Sequence, residues 1–252
     1  MSLIKTDLQI SKIRQSGKIL GFVLRQLKEK AAVSVSLMEL DELAHSLIIE
    51  AGAKPAFLGY HPDGARAPFP YTLCASINDT VVHGQPSAYR LKSGDVLKLD
   101  LGVDFQGGIT DSAVTVPIGK VDKDLLRLIK ATRLALEEAI RFVKPGHTVG
   151  DIGFAVERAA KAEGIKIMEG LTGHGVGNEL HEEPVVYNFG RRGAGMVLKP
   201  GMVIAIEPMT SLTTTKCIQK KDDSFVTYDK SVSAHFEHTV LVTKNGKDVL
   251  TL

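Results

Sequence analysis

The chain has 252 residues, 44% hydrophobic and 24% charged, and so has the composition and length of an ordinary globular protein with a sizeable core. Its 31 basic and 29 acidic residues nearly cancel, which excludes electrostatic nucleic-acid binding as the default function. No apolar run approaches the roughly 20 residues of a membrane span, the first 30 residues lack a signal-peptide core, and the two cysteines form no CxxC motif. We therefore expect a cytoplasmic protein without a membrane partner.

The predicted helices repeat along the chain. Apolar residues at helical spacing predict four helices, and Ser36 and Thr148 stand at the N-cap positions of the second and the fourth. These two helices end near Gly52 and Gly164, and the interval between the two glycines equals the interval between the two caps. The predicted ranges are 9–31, 36–52, 122–143 and 148–164.

The repeat favours two pseudo-symmetric halves, about 1–120 and 121–252, around one central sheet in a single domain, 1–252. Solenoid repeats are much shorter, about 20–50 residues. The alternative is a chance match, since helix–helix–strand order is common. Beyond the segment discussed next, strands are predicted at 166–168, 185–189, 203–207, 226–229 and 231–243.

The segment 98–115, KLDLGVDFQGGITDSAVT, predicts a β-hairpin that turns near Gly107 and Gly108. Asp100 and Asp111 each interrupt an apolar strand, and the hairpin would bring them side by side. Two buried carboxylates repel each other unless one is protonated or a cation lies between them. A shared divalent metal pair would satisfy both, whereas the alternative is that one caps a turn and the other faces water.

Three later segments place ionisable residues where apolar residues or turns are expected. LTGHGVGNELHEEP contains His174, VIAIEP ends an apolar strand at Glu207, and SAHFEHTVLVT contains Glu237 on the same face as His235. HEEP is not the zinc motif HExxH, because residue 185 is Val. Ordinary packing or support of neighbouring groups is the prediction for His235 and His238.

The candidate ligands are thus four carboxylates and one imidazole. This set suits Mn, Fe, Co or Zn in a dinuclear site, since structural zinc would call for Cys or more His. The five residues are Asp100, Asp111, His174, Glu207 and Glu237.

Together, D-x10-D, GHGVGNELHEEP, GMVIAIEP and FEHT resemble the short bacterial type of methionine aminopeptidase, from about residue 5 to the end. The resemblance implies the α+β pita-bread fold, with a curved antiparallel sheet covered by two helix pairs. It implies that Asp111 and Glu237 bridge two metal ions, that Asp100 binds one, and that His174 and Glu207 bind the other.

The resemblance also implies catalytic and substrate-binding roles. Glu207 would act as general base and then acid towards a metal-activated water, and His181 would contact the substrate amide and the developing oxyanion. His83, in VVHG, would lie near the scissile bond. Methionine would enter a pocket lined by Phe57, Tyr60 and Cys74, for which plain core packing is the alternative.

Two departures from the family concern this pocket. The loop 61–74 is about six residues longer than expected and contains Arg66, and Leu180 replaces a bulky aromatic residue before HEEP.

The expected substrates are nascent polypeptide N-termini beginning with methionine followed by a small residue, handled by a monomer, with the ribosome as a candidate partner. The alternatives are a proline-specific aminopeptidase or dipeptidase of the same fold, which would carry a large N-terminal domain, and a non-catalytic binding paralogue.

Overall fold

A computed structural model describes residues 3–62 and 64–252, which form four helices and fifteen strands. The helices are α1 Asp7–Lys30, α2 Leu37–Glu50, α3 Lys123–Arg141 and α4 Val149–Ala162. The strands of the first half are β1 Lys54–Pro55, β2 Cys74–Ile77, β3 Thr80–Val82, β4 Val96–Phe105 and β5 Gly108–Pro117. Those that follow are β6 Lys166–Ile167, β7 Gly173–Gly175, β8 Glu182–Val186, β9 Val203–Ile206, β10 Met209–Ser211, β11 Cys217–Gln219, β12 Phe225–Thr227, β13 Ser233–His235, β14 His238–Thr243 and β15 Gly246–Val249.

The predicted caps of α2 and α4 are confirmed. Each helix begins with a capping box, in which the hydroxyl of Ser36 or Thr148 accepts from the backbone amide three residues on, and the acidic side chain there accepts from the cap amide. Both helices have 14 residues. Gly52 and Gly164 follow with φ of 70° and 68°, the left-handed conformation that ends helices at glycine.

The strands after these helices repeat at the same interval as the two caps. β1 begins at Lys54 and β6 at Lys166, the same interval later, and each pairs antiparallel with a strand that leads towards the same cavity, β4 for the first and β10 for the second. One helix–strand unit is therefore repeated at a fixed interval.

The predicted hairpin is confirmed as β4 and β5, ten residues each, with the turn at Gln106 and Gly107. Asp100 lies opposite Ala113, and Asp111 lies opposite Gly102. Paired residues share a face in an antiparallel ladder, so the two aspartates are diagonal neighbours on one face.

Several predicted strands have different bounds in the structure. The segment 185–189 was predicted as a strand, but β8 covers Glu182–Val186. The segment 231–243 was predicted as one continuous strand, but it breaks at Phe236 and Glu237. The strand 203–207 was predicted to end at Glu207, and this is confirmed, because β9 ends at Ile206 and Pro208 has no amide to donate to a neighbouring strand.

The break changes the pairing partner of both segments. Before it, β9 pairs with β14, with Ile206 opposite His238; after it, β10 pairs with β13, with Met209 opposite His235. The residues between these pairs are free of the ladder, and the side chains of Glu207 and Glu237 face the cavity described below.

The second half joins β5 across a seam in which side-chain hydroxyls replace part of the backbone ladder. Thr239 and Thr115 each both accept from a backbone amide and donate to a backbone carbonyl across the seam, at 2.6–2.9 Å. The partners are Asp111 for Thr239 and His235 for Thr115, while Ser112 donates to the Glu237 carbonyl and the Glu237 amide donates to Ala113. The seam therefore places Asp111 beside Glu237.

Two large apolar clusters support this arrangement. One joins α1 and α2 to β2 and β4, with Leu20, Leu40 and Leu99 fully buried. The other joins α3 and α4 to β9 and β14, with Leu136 and Val240 among its buried residues. No helix within 3–62 or 64–252 is long and apolar enough to cross a membrane.

Candidate metal centre and substrate cavity

All ten residues predicted for the site line one cavity of about 890 Å³. They come from both halves of the chain and from eight separate segments, so the fold brings together what the sequence keeps apart. The residues are Phe57, Tyr60, Cys74, His83, Asp100, Asp111, His174, His181, Glu207 and Glu237.

Carboxylates and imidazoles converge at the floor of this cavity. Ligand atoms of Asp111, His174 and Glu237 all lie within 4.8 Å of one another, and so do those of Glu207, His235 and Glu237. Glu237 belongs to both groups.

The histidine of the first group has a defined tautomer. His174 Nδ1 lies 2.9 Å from the carbonyl of Gly175, which can only accept, so Nδ1 carries the proton. Nε2 then presents its lone pair 3.5 Å from Glu207 Oε1 and 3.9 Å from Asp111 Oδ2. Burial lowers the pKa of His174 to about 4, so the ring is neutral at pH 7 and can bind a metal.

The carboxylates are buried without enough partners. Among the described residues, Asp100 Oδ1, Asp111 Oδ1 and Glu237 Oε1 accept no hydrogen bond. Burial first, and then the neighbouring carboxylates, raise the pKa of Asp100 and Glu237 well above the usual range, and burial raises that of Asp111 to about 7. Buried charges of one sign need a cation, so the donor set fits divalent metal ions.

His235, for which packing or support of neighbouring groups is predicted, lies beside Glu207. Its Nε2 lies 3.5 Å from Glu207 Oε2, and its two ring nitrogens have no hydrogen-bond partner among the described residues. The side chain is 2% exposed. Its position on the same strand face as Glu237 was the signal in the sequence, and the structure places it beside Glu207 as well.

An apolar wall adjoins the carboxylates. Phe57, Cys74 and Leu180 are buried there, and Phe57 meets Phe69 edge to face at 6.4 Å. Tyr60 turns its hydroxyl to His181, with 2.8 Å between the oxygen and Nδ1. Because these side chains face the cavity as well as the core, they can surround an unbranched apolar side chain.

Two further histidines border the space between the wall and the carboxylates. The ring of His181 meets that of His174 edge to face at 4.3 Å, and burial followed by the charge of His174 lowers its pKa to about 3. His83 lies against Phe225 at 5.7 Å with a φ of 58°. It is exposed to the cavity, whose walls still remove enough water to lower its pKa.

Comparison with known proteins decides the family. The model of metallopeptidase family M24 matches residues 11–244. The chain belongs to metallopeptidase family M24. It is 42% identical over 249 residues to the methionine aminopeptidase of Aquifex aeolicus, covering 96% of each chain.

Solved structures of M24 proteins agree with this assignment. The methionine aminopeptidase of Thermotoga maritima superposes with a TM-score of 0.94 at 37% identity over 98% of each chain. The prolidase of Pyrococcus furiosus gives 0.80 at 25% identity, but this chain covers only 65% of it. The pita-bread fold and the bacterial methionine aminopeptidase resemblance are thus confirmed, the proline-specific alternative is not favoured, and M24 membership implies divalent metal use.

Two loops contact each other at the rim of this M24 cavity. Apart from position 63, the predicted long loop 61–74 is described, and it meets the turn between β11 and β12. The amide of Arg66 donates to Asp223 Oδ2 at 2.8 Å, and its Nε lies 3.6 Å from Oδ1. The loop therefore borders the cavity mouth, and the exposed ion pair contributes little stability by itself.

Proposed function

We propose that the chain removes the N-terminal methionine from nascent proteins and peptides when the second residue is small and uncharged. The observation that carries the proposal is the apolar wall of Phe57, Tyr60 and Cys74 beside four carboxylates in one cavity. An unbranched apolar side chain on this wall would hold its own peptide bond near the carboxylates. The preference for a small second residue is taken from the resemblance.

We infer that two divalent ions bind, as Co, Mn, Fe or Zn, with Asp111 and Glu237 shared between them. Asp100 would serve one ion, and His174 and Glu207 the other. The unpartnered oxygens of Asp100, Asp111 and Glu237 and the free lone pair of His174 support this donor set. When bound, such ions activate water for hydrolysis and can hold the free amine of a substrate.

The proton transfers are assigned to Glu207. Burial, and then the charge of Asp111, raises its pKa well above the usual range, which favours the uptake of a proton by this carboxylate. Glu207 accepts a proton from the attacking water and later delivers it to the leaving amine.

His181 is assigned to the oxyanion. The Tyr60 hydroxyl can donate to Nδ1 across 2.8 Å, which leaves Nε2–H as the donor of a neutral ring. Such a donor, held in place before the reaction, stabilises charge that develops on the substrate oxygen. His83 is assigned to the opposite side of the scissile bond.

We also propose that the chain acts as a single catalytic domain, 1–252, in the cytoplasm, as a monomer that meets polypeptide N-termini as they are made. The ribosome is a candidate site of that encounter. The helix–strand repeat and the cavity between the two repeated units support one domain rather than two.

The test is hydrolysis by metal-free protein supplied with Co, Mn, Fe or Zn. We expect metal-dependent release of methionine from Met-Ala-Ser, with much slower cleavage of Leu-Ala-Ser and Ala-Pro-Ala. Preferred cleavage of either of the other peptides would overturn the substrate but keep the chemistry. Absence of cleavage with every metal, in protein that binds none, would support the non-catalytic alternative.

A further inference from the structure

A buried ion pair lies under the turn that carries His181. The side chain of Lys5 is 1% exposed and that of Glu182 is 6% exposed, and Lys5 Nζ contacts Glu182 Oε2. The pair joins residues 177 positions apart, from the segment before α1 to the start of β8. Removing a charge from water is unfavourable unless the charge is well paired, so each of these two groups depends on the other.

The second oxygen of Glu182 holds the turn itself. Glu182 Oε1 accepts from the amide of Asn178 at 2.7 Å and from that of Glu179 at 2.9 Å. One carboxylate therefore closes the segment 178–182, and His181 is the residue immediately before it. Hydrogen bonds to an ionised carboxylate are stronger than neutral ones, which makes this closure stiff.

Hydrogen bonds also hold the segment that precedes α1. The Lys5 amide donates to Gly201 at 2.9 Å, the Thr6 capping box begins α1, and Gln9 Nε2 donates to Asn178 Oδ1 at 2.9 Å. At Gly177, with φ of 141°, a Cβ would lie 2.9 Å from Lys5 Cε, so the Lys5 side chain packs closely on this backbone. Lys5 thus reaches Glu182 from a rigid support.

We propose that Lys5 is a positioning residue for the reaction, which acts through Glu182 to hold His181 against Tyr60 and His174. Lys5 does not touch the reacting atoms. Its ammonium group fixes the carboxylate that closes the turn, and the turn fixes the ring. The proposal rests on the role proposed for His181.

The experiment is a double-mutant cycle between Lys5→Met and His181→Ala, scored on kcat and KM. Lys5→Met keeps an unbranched side chain that is one heavy atom shorter, and it removes the charge. We expect kcat to fall about 10- to 100-fold, the loss typical when a group that orients an active-site residue is removed, with KM within about twofold. In the His181→Ala background the same change should cost no further activity. An equal loss in both backgrounds would overturn the proposal.

A spectroscopic readout does not depend on activity. The imidazole ¹⁵N signals of His181, assigned by their absence in His181→Ala, are measured in metal-free protein. We expect Lys5→Met to shift them and Lys5→Arg to restore them in part. The matched control is Arg14→Met, which breaks an exposed ion pair between α1 and Asp248 and should change neither kcat nor these signals. Unshifted His181 signals in folded Lys5→Met protein would contradict the proposal.

The variant Lys5→Met/Glu182→Gln separates positioning from stability. Lys5→Met leaves an unpaired buried carboxylate, whereas the double variant leaves none, so we expect its melting temperature to return towards that of the parent while kcat stays low. If the melting temperature and kcat both recover in the double variant, the ion pair only balances buried charge, and the proposal is overturned. Failure of the parent chain to release methionine would refute the proposed function instead, because the cycle can be measured on any peptide that the chain cleaves.

Discussion

The two halves deliver their carboxylates to the cavity in different ways. In the first half, Asp100 and Asp111 stand within unbroken ten-residue strands, and strand alternation alone points both inward. In the second half, Glu207 and Glu237 stand where the strands break and change partners. The first arrangement fixes side-chain direction through the ladder, whereas in the second Glu207 and Glu237 lie outside the ladder, next to His235 at the end of β13.

The difference teaches where a strand pattern can be trusted. A ligand inside a regular strand costs no hydrogen bond of the ladder, but its direction is limited to one of two faces. A ligand at a break can point elsewhere, provided that other groups satisfy the backbone. Here the amide of Glu237 donates to Ala113 and its carbonyl accepts from Ser112, so the break leaves neither group unpaired.

The largest expected effect comes from the break at Glu207. Glu207→Gln keeps the size of the side chain but removes the proton acceptor, and we expect kcat to fall by about 10²–10⁴-fold, the usual contribution of a general base. Circular dichroism should show an unchanged fold. Near-normal turnover of Met-Ala-Ser would refute the role assigned to Glu207.

Bound metal should stabilise the folded chain by linking its two halves, because the proposed ligands come from both. We expect the free energy of unfolding to rise by about 2.7 kcal/mol when free metal is at 100 times its dissociation constant. The measurement is thermal unfolding across a series of buffered Mn or Zn concentrations. In Glu237→Gln, which alters the residue common to both clusters, the rise should be largely lost; an undiminished rise would place the metal elsewhere.

The next effect compares Asp41 of α2 with Gly153 of α4, which the repeat makes equivalent. Asp41 accepts from the amides of Thr72 and Leu73, whereas Gly153 lies against a carbonyl, where a Cβ would be 2.3 Å from the oxygen of Phe189. Gly153→Ala should therefore lower the free energy of unfolding by about 1–3 kcal/mol, the usual cost of overpacking.

Urea unfolding measures this cost, with Lys161→Ala on the exposed side of α4 as the control. The control should change stability by less than about 0.5 kcal/mol. Equal stability of Gly153→Ala and the parent would mean that the segment 187–189, which follows β8, can move away from α4, and that the second half is the less rigid one.

The smallest effect is a pH trend at Asp41. Burial raises its pKa above the usual value, outweighing the amides of Leu73 and Thr72 that lower it, so folding favours the protonated form. That contribution is present below the unfolded pKa, about 3.9, and is lost as pH rises through the folded value.

Asp41→Asn cannot ionise, and its oxygen can still accept from both amides. We therefore expect its stability relative to the parent to increase as pH rises from about 3 to 7, as measured by urea unfolding at several pH values. Asp124→Asn, on the exposed surface of α3, is the control. If the stability of Asp41→Asn relative to the parent falls as pH rises, folding lowers the pKa of Asp41 instead of raising it.

Local patterns in the sequence account for much of the fold. Caps at Ser36 and Thr148, glycines that end both helices, and a hairpin with alternating leucines are signals within a few residues, and each was confirmed. Pro208 is a local signal of the same kind and marks the end of β9, whereas the break at Phe236 depends on which strands lie opposite, so periodicity extended the segment 231–243 too far.

The same distinction applies to the site. The motifs around Asp111, His174 and Glu237 could be recognised in the sequence, and the structure brings them together. For His235 the sequence predicted only packing or support of neighbouring groups, because its position beside Glu207 depends on a contact between β13 and the end of β9. Lys5 gave no signal, since its partner Glu182 is 177 positions away.

The hydroxyl seam between β5 and the second half fixes the register in which the two halves join. In a backbone ladder every step offers the same bonds, so two strands can slide by two residues and pair again. Thr115 and Thr239 make their bonds at fixed positions, and a slide would lose them together. Two threonine side chains thus allow the halves to join in one register, the register that sets Asp111 beside Glu237.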